Sequence, residues 1–234
     1  MAKRVHIKDI IGGIVTNIDK TLKVERVEGA DLITTKLFVC DLKWVKVGDI
    51  VEDNQERQGQ ITEVGSNYVV FQKEDPFIWD SDVVVMVTEF TYLAGTPLDV
   101  NAEWLLTNIV LERKLPLFWF VLPSVERNNK NGQGIARESE IKLYIIEQTD
   151  PANYTVNQHY SNVMQYLWDY YNAFFASLVK NRDFANVEYD DTKEFYRFGS
   201  ESIDGFEANV LDANLSALEV RFTLRIRTNA KCLC

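Results

Sequence analysis

Two histidines, three cysteines and five prolines in 234 residues leave this chain short of the side chains that most often announce chemistry. General acid-base catalysis usually needs an imidazole or a perturbed carboxylate within reach of a partner. His6 lies near the terminus, and His159 has no second His, Glu or Cys at helical metal-ligand spacing. Cys40, Cys232 and Cys234 are odd in number, which excludes a simple disulfide framework and suggests a reducing compartment. One residue separates the last two, too few for the usual metal knuckle. Positive charge is in deficit: the net charge is -10 and the sequence pI is near 4.8, which argues against a general polyanion-binding surface. The deficit is even, with 11 Lys and Arg against 16 Asp and Glu in residues 1–90 and 14 against 19 in the remainder. No run of 18 apolar residues occurs, and the segment holding Lys3, Arg4, His6, Lys8 and Asp9 lacks the apolar run of a signal peptide, so a cytosolic product with no membrane partner is expected. Gly132 and Gly134 lack the Lys-Ser/Thr ending of a P-loop and the third glycine of a dinucleotide fingerprint. Asp190-Asp191 and Asp80-Ser81-Asp82 lack the glycine and spaced ligands of a calcium loop. The expectation is a protein that is not an enzyme and holds no cofactor or metal.

What is present is a strong pattern of structure. Val156, Tyr160, Val163, Met164, Leu167, Tyr171, Phe174, Phe175 and Leu178 recur at three- and four-residue steps, and Thr155 with Gln158 fits a capping box, so residues 155–179 form a long amphipathic helix. Ile7, Ile11 and Ile14, with Ile10, Val15 and Ile18, predict a helix weakened or broken at Gly12-Gly13. Its stripe docks on the body or on a neighbouring copy. Residues 22–90 change to short β-branched segments with turn signals, among them Gly65-Ser66-Asn67, and predict a small antiparallel β module like SH3 or OB barrels. Thr96, Pro97 and Asp99 mark a helix start. Leu117 to Leu122 reads as a strand covered on both faces. Residues 124–139, including Asn128, Asn129, Lys130, Asn131 and Arg137, are polar and predict a long projecting hairpin loop that reaches a partner. Ile141, Leu143 and Ile145 alternate as a returning strand. Val187–Tyr189 and Phe195–Phe198 are short strand candidates. The alternation from Leu215 to Thr228 turns Glu219, Arg221, Thr223, Arg225 and Arg227 outward and predicts a cationic sheet face.

The order helix, apolar strand, polar hairpin, strand, long helix and terminal strands in residues 96–228 resembles the tail-terminator and tail-completion proteins of tailed bacteriophages. Phe118-Trp119-Phe120-Val121-Leu122-Pro123 and Asp212-Ala213-Asn214 resemble neck or tail-completion proteins from phages of gut Bacteroidota, including the crAss-like group. The segment pattern predicts an α+β fold with an N-terminal helical arm (1–20) and a small barrel-like β module (21–95), which departs from that family; the resemblance implies that a tail-terminator-like α/β sandwich (96–234) follows, its sheet packed with two helices. It also implies a structural protein of the virion, assembled in the bacterial host cytoplasm. Such a subunit closes with its own copies into a ring that joins portal and head-completion rings to the tail. Asn128, Asn129, Lys130, Asn131, Arg137, Ile7, Ile11 and Ile14 are then candidates for subunit contact. Arg221, Arg225 and Arg227 are candidates for ring stacking or for non-specific contact with DNA in the channel. The alternative reading is a phage nucleic-acid-binding protein that works through the small barrel.

Overall fold

A computed structural model describes residues 6–28, 33–42, 44–73, 83–87, 89–106, 114–131, 134–150, 152–181, 184–203, 206–209, 211 and 214–226. The chain divides into two compact units, Asp19–Thr88 and Met1–Ile18 together with Glu89–Cys234. Both contain sheet, and the second adds helices, so the fold is α+β as the segment pattern predicts.

The first unit is a closed antiparallel barrel of six strands: β1 (Thr21–Glu28), β2 (Thr34–Val39), β3 (Ile50–Glu52), β4 (Gln58–Val64), β5 (Tyr68–Lys73) and β6 (Val83–Met86), in the order β1-β2-β5-β4-β3-β6. Strands β3 to β6 trace a Greek key, since β6 returns beside β3. Closure leaves the barrel no open edge, and it holds one strand more than an OB barrel. Alternate side chains point inward, so Leu37 and Val39 of β2, Val69 and Phe71 of β5, and Ile61, Val51, Val84, Met86 and Leu22 fill the interior with Trp44. The Gly65 N–H donates to Tyr68 O at 2.8 Å, which makes the predicted Gly-Ser-Asn turn. Gly48, with φ +98°, adopts a left-handed conformation that a side chain would strain.

The second unit is built on a mixed sheet, β11-β14-β10-β8-β7, comprising β7 (Thr91–Gly95), β8 (Leu117–Val121), β10 (Gly134–Gln148), β11 (Phe184–Phe198) and β14 (Leu215–Ile226). Strand β9 (Val125–Asn131) pairs with β10, and β12 (Ser200–Ile203) pairs with β13 (Phe206–Asn209). Strands β7 and β8 run parallel and need a crossover, which contains α2 (Pro97–Leu106). The start signal is real: Asp99 N–H donates to Thr96 Oγ1 at 3.3 Å while Thr96 N–H donates to Asp99 Oδ2 at 3.0 Å.

The sheet buries side chains on both faces. Phe118 and Phe120 of β8, Ile141, Leu143 and Ile145 of β10, and Leu218, Val220, Phe222 and Leu224 of β14 lie on one face, where Phe174 of the long helix meets Phe118 and Phe222. Opposite, Leu117, Trp119, Ile146, Leu215 and Ala217 pack with Val100 and Trp104 of α2 and with Phe198.

The long helix, α3, comprises an α-helical opening (Val156–His159), a π-helical turn (Tyr160–Met164) and an α-helical body (Gln165–Lys180). Its capping box is formed, with Gln158 N–H donating to Thr155 Oγ1 at 3.3 Å and Thr155 N–H donating to Gln158 Oε1 at 3.0 Å. The π turn inserts one residue into the periodicity. As a result Val156 and Tyr160, predicted on the apolar face, are 76% and 50% exposed, whereas His159 is buried in phase with Val163, Leu167, Phe174 and Leu178.

Several other expectations are corrected. Helix α1 (Ile7–Thr16) is continuous through Gly12 and Gly13. It joins the second unit, packing on α3, β7 and β8, so residues 1–20 do not form a separate arm in their described part. Residues 91–95 belong to the second sheet as β7, because parallel pairing with β8 claims them, so the barrel stops short of residue 95. The polar stretch 124–139 pairs as the expected hairpin, but its arms are strands and not loop: β9 and β10 pair in register from Gly134 opposite Asn131 to Glu140 opposite Val125. Ladder formation overrides the turn-like composition there. The two short candidates near 187 and 195 are one 15-residue strand, β11, with three register shifts that obscure its alternation.

Candidate functional site

The predicted contact residues separate into three groups. Ile7, Ile11 and Ile14 are buried within the second unit, at 3%, 0% and 5% exposure, so this stripe serves the chain's own core and is not a surface for a neighbouring copy. Arg137 is also buried, because it shares the β10 face that carries Ser139, Ile141 and Leu143, and it too drops out as a surface contact. Asn128, Asn129, Lys130 and Asn131 take their places in the backbone of β9, opposite Arg137, Ala136, Ile135 and Gly134. Strand β9 continues along β10 beyond β8, and among the described strands it pairs with β10 alone. The ribbon therefore presents a seven-residue strand edge of the kind that templates pairing with another chain.

The arginine face is not the cationic surface expected. Lys142 and Arg221 stand opposite one another on β10 and β14, as do Tyr144 and Glu219, and Glu138 and Arg225. Glu219 is 4% exposed and receives Arg221 Nε at 2.6 Å and Lys142 Nζ at 3.2 Å. Burial alone would lift its carboxyl, but hydrogen bonds from Tyr144, Arg221 and Lys142 hold it below the ordinary range. Arg225 reaches Glu138 at 3.6 Å and Glu188 at 3.5 Å, and Arg127 reaches Glu140 at 2.9 Å. Carboxylates thus pair the described arginines of β14: Glu219 of the same strand holds Arg221, and Glu138 of β10 and Glu188 of β11 hold Arg225. Arg227 lies outside the described residues, as do Cys232 and Cys234.

His159, the one plausible catalytic imidazole, is spent on structure. Its Nε2 lies 2.9 Å from Ser216 Oγ, and that hydroxyl also donates to Tyr196 O at 2.9 Å, so the imidazole donates through Nε2. Nδ1 is buried with no hydrogen-bond partner among the described residues. Burial pushes the ring below its ordinary pKa, although the backbone of Tyr196 opposes the shift. His159 and Ser216 are 5% and 0% exposed, and among the described residues no carboxylate hydrogen-bonds to Nδ1. Among the described residues no three His, Cys, Asp or Glu side chains assemble a metal site, and no helix is long and apolar enough to cross a membrane.

One cluster escaped the sequence reading. On the outer face of the barrel, Arg26 of β1 stands opposite Phe38 of β2, and Phe38 stands opposite Tyr68 of β5. The two rings are 5.8 Å apart between centroids. The Arg26 guanidinium lies 4.2 Å over Phe38, and Lys36 Nζ lies 3.5 Å over Tyr68. Alternation along Thr34-Thr35-Lys36-Leu37-Phe38 places Lys36 and Phe38 outward, but only the register with β1 and β5 brings the four side chains together. Neither a family model nor a curated protein matches this chain.

Proposed function

We propose that this protein is a structural subunit of a tailed-bacteriophage virion. It forms a ring in the neck or tail with its own copies, joins portal and head-completion rings to the tail, and surrounds the DNA channel. It works by assembly and not by catalysis. The observation that supports this reading best is the β9–β10 ribbon, whose β9 edge is open among the described strands. A β9 edge that pairs with a different strand edge of the neighbouring copy makes a heterologous contact, and such a contact closes into a ring when the rotation between neighbours divides a full turn. Backbone hydrogen bonds along seven residues would supply such a contact without any apolar patch on the ribbon. The paired charges of the β10–β14 face suit a lumen that does not grip DNA, since tight phosphate neutralisation would hold the duplex in place.

Native mass spectrometry of the full-length protein, alone and after mixing with extracts containing phage necks and tails, tests the reading. Closed rings, or a monomer that joins virion particles, are the expected result. Replacing residues 128–135 by Asn-Gly should abolish that association while the circular dichroism of the sheet persists. A parent protein that stays monomeric and ignores the particles would refute the proposal, as would rings that form equally well without the ribbon.

A further inference from the structure

We infer that the outer face of the barrel across β1, β2 and β5 is a shallow binding site for single-stranded nucleic acid. Phe38 and Tyr68 form its stacking platform, and Arg26 and Lys36 are its phosphate contacts. Both rings are partly exposed, on adjacent strands of a closed barrel whose interior is packed independently of them. Two half-exposed aromatic rings beside two cations offer what an unpaired nucleotide needs: a π face for the base and a positive charge within one side-chain length for its phosphate. In the unliganded barrel the cations rest on the rings. Arg26 is 60% exposed along its side chain, so the planar guanidinium can remain on Phe38 while a base stacks over it or over Tyr68.

The ligand class follows from the same residues. A duplex hides its base faces and would use the cations alone. An acidic peptide would likewise leave the rings idle. A single strand uses both. The flanking carboxylates limit the strength of the site: Glu28 holds Arg26 at 2.9 Å, and Glu63 accepts the Tyr68 hydroxyl at 2.6 Å. Residues 19–88 are acidic as a whole, so binding is local, weak and strongly salt-dependent. This inference stands apart from ring assembly, because it concerns the closed barrel and not the ribbon edge.

Fluorescence anisotropy of a labelled 20-nucleotide oligothymidylate titrated with the full-length protein tests it. Binding should be measurable in 50 mM salt. Two neutralised phosphates give a log-log salt slope of about -1.4, so 200 mM salt should weaken binding roughly sevenfold. Phe38→Ala or Tyr68→Ala should each weaken it about 5- to 100-fold. Glu28→Gln, which frees Arg26 without touching the rings, should tighten it. Unchanged circular dichroism and melting of the alanine variants would show that the barrel is intact. No anisotropy change up to about 100 μM protein in 50 mM salt would overturn the inference. So would a parent affinity retained by Phe38→Ala and Tyr68→Ala, or a duplex of the same length bound as tightly.

Discussion

Deleting Asn162 tests the π-helical turn of α3 as the device that sets which side of the helix is buried. Asn162 is exposed and lies inside the turn Tyr160–Met164. Removing it leaves His159 three residues before Val163 and four before Met164, the spacing of one face of a regular α-helix. His159 should then keep its contact with Ser216, and the body from Gln165 onward should keep its seat. Stability should remain within about 1 kcal/mol of the parent, in line with changes at exposed sites. Inserting an alanine after Asn172 is the contrasting perturbation, because the helix there is regular. Ala173 would take the site of Phe174 and Ser177 that of Leu178, both of which are fully buried. Those losses amount to about 3–5 kcal/mol for the phenylalanine and about 2–5 kcal/mol for the leucine. Their total rivals the whole folding free energy of about 5–15 kcal/mol. Urea unfolding followed by circular dichroism should therefore show a nearly parental midpoint for the deletion and little or no folded baseline for the insertion. Equal damage from the two variants would refute the argument.

Adjacent glycines of α1 should respond with opposite sign. A Cβ on Gly12 would meet the Tyr92 ring at 2.8 Å, and that ring is anchored by its hydroxyl to Lys8 O, so Gly12→Ala should cost about 1–3 kcal/mol. Gly13 has open space, and Gly13→Ala should stabilise by roughly 1 kcal/mol on thermal melting. Glu219→Gln removes the carboxylate that ties Lys142 and Arg221. Because both cations reach solvent, denaturant unfolding should show a loss of about 2–3 kcal/mol, below the roughly 3–5 kcal/mol of a wholly buried pair. His159 is held below its unfolded pKa of about 6.5, so its unfolded form binds more protons on acidification. Its stabilising contribution is present above about pH 6.5 and falls as pH drops toward the folded value. His159→Asn should flatten the stability-pH curve below about pH 6.5, and an unchanged slope would show that the imidazole is not buried as described.

Local signals in the chain were read correctly where a short segment decides its own structure. Thr155 with Gln158, and Thr96 with Asp99, form their caps because both partners of each hydrogen bond lie three residues apart. The barrel was legible because β-branched runs alternate with turn residues at short range. Strand β14 was legible because its alternation is unbroken from Leu218 to Ile226. Phase was harder. The apolar residues Val156 and Tyr160 belong to the α-helical period, and nothing in their identity signals that a π turn carries them off the buried face.

The candidate sites were less legible than the fold because a site is made by strands that are distant in sequence. Read alone, β14 offers Arg221 and Arg225 on one side, and a cationic face follows from that strand. The sign of a sheet face is nevertheless a property of three strands: Glu138 arrives from β10 and Glu188 from β11, and both meet Arg225 only through the ladder. The barrel shows the converse. Lys36 and Phe38 lie in an acidic segment whose total charge points away from nucleic acid, yet register sets Arg26 on one side of Phe38 and Tyr68 on the other. Net charge averages over a whole unit, whereas a single strand meets only the few side chains within a Debye length of about 8–10 Å. Within that distance Arg26, Lys36, Phe38 and Tyr68, together with the carboxylates of Glu28 and Glu63, and not the composition of the chain, decide what can bind.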